Sequence, residues 1–98
     1  MTLNYGELPY RGIASLTLDY TDGELTFTAL ELLVSPTPSA GFLDVVASGL
    51  DDALAQPGLT RACLVLPSGS VLIGAVTHIN RFGGSFVLCV DDPARRPA

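Results

Sequence analysis

Three runs of this chain, 61–66, 71–79 and 85–90, are apolar on both of their alternating phases. Cys63 and Val65 oppose Leu64 and Leu66, Val71 and Ile73 oppose Leu72 and Val76, and Phe86 and Leu88 oppose Val87 and Cys89. Successive side chains point to opposite faces of a sheet, so strands of this kind must be covered on both sides. That requirement limits the folds open to the chain. One face can take a helix, and the other needs barrel closure or a second chain. Turn chemistry separates the runs. Pro67-Ser68-Gly69 lies between the first two and Phe82-Gly83-Gly84 between the last two, with proline pre-set for a turn and glycine free to adopt positive φ.

The first half of the chain adds a hairpin and a helix. Leu16, Leu18 and Tyr20 alternate with Thr17, Asp19 and Thr21, and Asp22-Gly23 marks a tight turn. On the return strand Leu25, Phe27 and Ala29 form one phase, but beyond Ala29 the apolar set becomes Leu30, Leu32 and Val34. A β-bulge near Ala29–Leu30 would join the two phases and bend the strand. After "SPTPSAGF", Leu43, Val46, Ala47, Leu50, Ala53 and Leu54 recur at helical spacing. They predict a helix over roughly 42–56, capped by Thr37 before Pro38 or by Ser39, and stopped by Gln56-Pro57-Gly58. Asp51 and Asp52 sit awkwardly in such a helix, in the C-terminal half where its dipole disfavours anions.

The resulting expectation is an α+β domain of order β-β-α-β-β-β. About five antiparallel strands carry one helix on one face, and the sheet is able to curl toward a small barrel. Residues 1–92 form a single domain, with 1–12 an irregular arm and 93–98 a flexible tail. A chain of 98 residues suffices for one core. Its 48% hydrophobic content and mean hydropathy of +0.43 are high for a small monomer. An open sheet would then favour a homodimer or a stable hetero-complex.

Charge narrows the partners. The chain has no lysine, and five arginines face ten acids. Residues 1–94 keep only Arg11, Arg61 and Arg81, a net charge of −7 (three minus ten). Such a body repels phosphate backbones, which disfavours nucleic acid. Missing lysine beside abundant Ala, Gly, Pro, Asp and Arg suggests GC-rich coding and a bacterial or phage source. The opening Met1-Thr2-Leu3-Asn4 stretch shows no basic-then-apolar leader, and no apolar run reaches the ~18 residues of a membrane span. Cys63 and Cys89 lie in apolar strands, as buried free thiols of a cytoplasmic protein do.

Within "LPSGSVLIGAVTHIN" (66–80), Leu66, Gly69, Gly74 and Asn80 are spaced as in the first motif of the Sm-like family, small barrels that form RNA-binding rings. The resemblance covers fifteen residues and implies RNA contacts at Asn80 and Phe82. The chain departs from the family's order of one helix followed by five strands, and no Arg-Gly second motif follows. Without that resemblance, the same residues read as a hairpin whose glycines serve the turn and the bend.

Enzyme signatures are missing. There is no G-x-S-x-G, and a chain without lysine has neither a Walker A loop nor a Schiff-base amine. His78, the single imidazole, reads as a partly buried, hydrogen-bonded residue near a strand end. One His and two distant Cys make no zinc site, and neither cofactor nor metal is expected. The acids cluster as Asp19, Asp22 and Glu24 at the first hairpin tip, Asp51-Asp52, and Asp91-Asp92. They are the candidate contacts of a non-enzymatic protein-interaction module, a small acidic inhibitor or adaptor. The Sm-like RNA binder is the alternative.

Overall fold

A computed structural model of the protein describes residues 8–39, 41–80 and 82–91. The chain runs as β1 (Tyr10–Tyr20), β2 (Gly23–Pro36), β3 (Phe42–Ala47), α1 (Asp51–Ala55), β4 (Leu59–Val65), β5 (Val71–Asn80) and β6 (Ser85–Val90). All pairings are antiparallel, and the strands close in the order β1-β2-β3-β6-β5-β4. Two three-stranded meanders therefore meet at two seams, β1 with β4 and β3 with β6. The expected antiparallel sheet and its curl to a barrel are present. The α+β description fits only in part, because the described residues are mostly sheet with one five-residue helix.

Closure solves the problem set by the two-phase strands. Leu16 of β1 faces Leu64 of β4, which faces Leu72 of β5. Across the second seam Leu43 faces Leu88 and Val45 faces Phe86. All seven side chains are fully buried inside the tube, each contributing roughly 1.5–3 kcal/mol of burial. The opposite phase, with Cys63, Val65, Val71, Ile73, Val87 and Cys89, lies on the outer wall, exposed or half-buried. Both cysteines are free, and they are half-buried rather than buried. The open sheet that would have required a second chain does not exist.

The expected helix over 42–56 is corrected. Its first six residues are strand β3, with Leu43, Val45 and Ala47 buried and Asp44 and Val46 exposed, a period of two. Two β-branched residues in a row favour a strand, and Ser48-Gly49 breaks the run before α1 begins. Thr37 caps no helix. Its hydroxyl accepts from the Ser39 amide at 3.1 Å and donates to the Ser39 carbonyl at 3.0 Å, closing the β2–β3 turn. Asp51 and Asp52 now occupy the first turn of α1, where a helix dipole favours anions. Leu50, Ala53 and Leu54 enter the core, and the buried Ala53 carbonyl accepts from the Tyr20 hydroxyl at 2.7 Å. Burial raises the Tyr20 hydroxyl's pKa above its ordinary range.

The expected bulge is found. Ala14 pairs with Leu30 and Leu16 with Phe27, so Thr28 and Ala29 together face Ser15, whose hydroxyl donates to the Thr28 carbonyl at 3.2 Å. The first turn consists of Thr21 and Asp22, one residue earlier than expected, with Gly23 opening β2 opposite Tyr20. Residues 10–12, expected in an irregular arm, begin β1. Residues 1–7 and the expected tail 93–98 lie outside the described residues.

Gly74 points inward where β5 meets β6, and a Cβ there would overlap the Cys89 backbone carbonyl. Gly74→Ala is therefore expected to lower stability by about 1–3 kcal/mol through overpacking, read as a shift of the urea midpoint at unchanged slope. A neutral result would mean that β5 and β6 are not held this closely.

Candidate functional site

β1, β3 and β5 all finish at one end of the barrel. The β1–β2 turn, the β3–α1–β4 connection and the β5–β6 turn gather there. Backbone bonds fix these loops in place: the Thr21 amide donates to the Gly58 carbonyl at 2.9 Å and the Ala47 amide to the Gly84 carbonyl at 2.9 Å. Asp22 lies in the first turn, Asp51 and Asp52 open α1, and Asp19 and Glu24 stand just below on β1 and β2. Closure thus brings five of the acids singled out in the sequence to one rim.

The third acid pair divides. Asp91 follows β6, its amide donating to the Ile73 carbonyl at 2.9 Å, while Asp92 lies outside the described residues. Arg61, opposite Asp19 in the β1–β4 register, directs its guanidinium to Asp91, with Nη2 2.6 Å from Oδ2. Both side chains of this ion pair are about half exposed, so it adds little stability. Asp91 is a structural partner of Arg61 rather than part of the rim.

Asp19 and Glu24 face each other directly across the hairpin. Cross-strand neighbours have Cβ atoms about 4.5–5.5 Å apart, and like charges placed so are destabilising. The Asp19 carboxylate is felt nearby. Burial first, and then Asp19, raise the Cys63 thiol's pKa above its ordinary range.

The same end carries two apolar groups, Ile79 and Phe82. Phe82 is 86% exposed on the β5–β6 turn; Arg81 beside it lies outside the described residues. Ile79 was missed by sequence reasoning because it continues the alternation of β5. In the structure it falls in a bulge, with His78 and Ile79 together opposite Phe86, and is left exposed. His78 is exposed rather than partly buried, at φ +49°, with Nδ1 3.1 Å from Thr77 Oγ1.

The four positions of the 66–80 motif each have a role in folding. Leu66 is core, and its carbonyl accepts from the Gly69 amide at 2.9 Å. Gly69 takes φ +97°, a conformation that favours glycine. Gly74 is the close contact with β6, and Asn80 Oδ1 accepts from the Gly83 amide at 3.1 Å, closing the β5–β6 turn. Three strands precede the helix, whereas the Sm-like order begins with it.

Among the described residues, no group of three or more His, Cys, Asp or Glu could hold a metal ion, and no helix is long and apolar enough to cross a membrane. Comparison with known proteins gives no match: no family model, curated protein or solved structure matches this chain.

Two measurements check the electrostatics. Glu24→Lys turns the repulsion with Asp19 into attraction and is expected to raise stability by roughly 0.2–1 kcal/mol; a loss would show that Glu24 serves the fold. The rate of Cys63 alkylation against pH, mapped by mass spectrometry, is expected to have its midpoint above that of a free cysteine peptide. Asp19→Asn should move it part of the way back. A wild-type midpoint at or below the free value would contradict the half-buried placement of Cys63, and an unmoved midpoint in Asp19→Asn would contradict that of Asp19.

Proposed function

We propose that this chain is a non-enzymatic protein-binding module, a small acidic inhibitor or adaptor of the bacterial or phage cytoplasm, which also assembles with itself. Its acidic barrel end docks on a basic surface of another protein. One observation carries the reading: Asp19, Asp22, Glu24, Asp51 and Asp52 share an end with exposed Ile79 and Phe82. An aromatic anchor inside a charged rim is a common plan for a protein interface. The carboxylates would steer a basic partner and exclude acidic ones, and Phe82 would supply buried area.

The RNA-binding alternative would use Asn80 and Phe82 at the same end. It is disfavoured by the surrounding carboxylates, which repel phosphate, and by the turn bond that already occupies Asn80 Oδ1.

The test is a partner recovered by affinity capture, purified, and titrated against the protein at several salt concentrations. Binding is expected to weaken as salt rises. The triple variant Asp22→Asn, Asp51→Asn, Asp52→Asn should lose about tenfold in affinity, or about 1.4 kcal/mol. Salt-independent binding that the variant retains would remove the acidic end from the account. Tight, saturable binding of short U-rich or A-rich RNA by the pure protein would replace this reading with the RNA-binding one.

A further inference from the structure

β2 is longer than the strand beside it. β3 pairs with β2 only from Leu32 to Pro36, so the segment from Gly23 to Glu31 is paired at one edge, by β1. Two observed bonds fix which of its backbone groups face outward. The Thr21 amide points to β4, donating to Gly58, and the Asp19 carbonyl points the same way, accepting from the Thr60 hydroxyl at 3.3 Å. Odd residues of β1 thus face β4, and even residues face β2. Through the register Leu18↔Leu25 and Leu16↔Phe27, Leu25 and Phe27 bond to β1. Glu24 and Thr26 present their N–H and C=O groups outward, and no described residue meets them.

Other unpaired stretches are interrupted. β5 beyond its pairing with β4 is broken by the bulge at His78–Ile79. At the start of β1 the Ile13 carbonyl is taken by the Tyr10 hydroxyl at 2.8 Å. By contrast the stretch 24–27 on β2 is regular up to the bulge at Thr28–Ala29, where the Ser15 hydroxyl takes the Thr28 carbonyl, and it is exposed apart from the partly buried Phe27. A straight, uncovered strand edge is a template for another strand.

We propose that this edge pairs antiparallel with the same edge of a second copy, about a two-fold axis at Thr26. The inference rests on the reading of the chain as an interaction module that self-assembles, and it names the surface. The residues Leu25-Thr26-Phe27 are self-complementary about their centre, each apolar neighbour of Thr26 meeting the other's apolar neighbour. The two Thr26 exchange reciprocal N–H···O bonds. Leu25, 41% exposed on the barrel's inward phase, lies against Phe27 of the second copy, and the bulge at Thr28 ends the pairing. Acidity does not oppose this register. The two Glu24 are four strand steps apart, about 14 Å, beyond the ~8 Å screening length at physiological salt. An edge-to-edge dimer at Thr26 also lies apart from α1 and the β5–β6 turn in the chain.

Light scattering and sedimentation equilibrium on the full chain test the proposal. The wild type is expected to show a concentration-dependent mass rising toward twice 10.2 kDa. Thr26→Pro removes an amide that β1 does not use, and Leu25→Lys places a charge on the edge. Both should stay at 10.2 kDa with circular dichroism unchanged. If Thr26→Pro fails to fold, Leu25→Lys decides. The triple carboxamide variant of the acidic end should still dimerise, which separates this surface from the proposed partner site. A wild type that stays monomeric throughout overturns the proposal, as does a dimer that folded Leu25→Lys leaves intact.

Discussion

Antiparallel pairing of β1 with β4, from Ser15 opposite Val65 to Tyr20 opposite Leu59, turns two meanders into a tube. β1 is the one strand of the first meander that touches the second at this seam, and it brings Leu16 and Leu18 to the centre of the core. Opening the seam would expose the inward leucines of both strands and leave a row of backbone groups on each without partners. Those costs act together, so the barrel is expected to close or fail as one unit. The second seam, β3 with β6, depends on the same inward set through Leu43–Leu88 and Val45–Phe86.

Closure also determines the surface. Because the interior takes only one phase of each strand, the outer phase of β4 and β5 is left on the wall, with Val65, Val71 and Ile73 still exposed. The end where β1, β3 and β5 finish inherits most of the described carboxylates. Eight carboxylates and two arginines fall among the described residues, and five of those carboxylates belong to this end. Apolar wall and acidic rim are thus consequences of one topology, and they suit different contacts.

Much of this was legible in the chain. The five strands expected from alternation are all present, and the bulge on β2 was marked by the phase change from Phe27 to Leu30. The failure was local and instructive. Leu43, Ala47, Leu50 and Leu54 satisfy a helical period across a real strand, a turn and a short helix, and the helical reading had to pass over Val45, which is fully buried. The pair Asp51-Asp52 was the warning, misplaced in a long helix and well placed in a short one. Barrel closure was not decidable from periodicity, since two-phase strands are satisfied equally by a tube or by a partner. The acids were legible as residues but not as a rim, because their meeting depends on strand order, and Ile79 was hidden by a bulge that alternation does not reveal.

The central claim is that β1 is bonded at both edges. Native-state hydrogen exchange of its amides tests this directly, since Leu16 and Leu18 donate toward β2 and Thr17 and Asp19 toward β4 by the alternation of an antiparallel strand. A closed barrel predicts protection of Leu16, Thr17 and Leu18 at a common level set by global unfolding. If Thr17 and Asp19 exchange fast while Leu16 and Leu18 stay protected, the β1–β4 seam is open and the account is wrong.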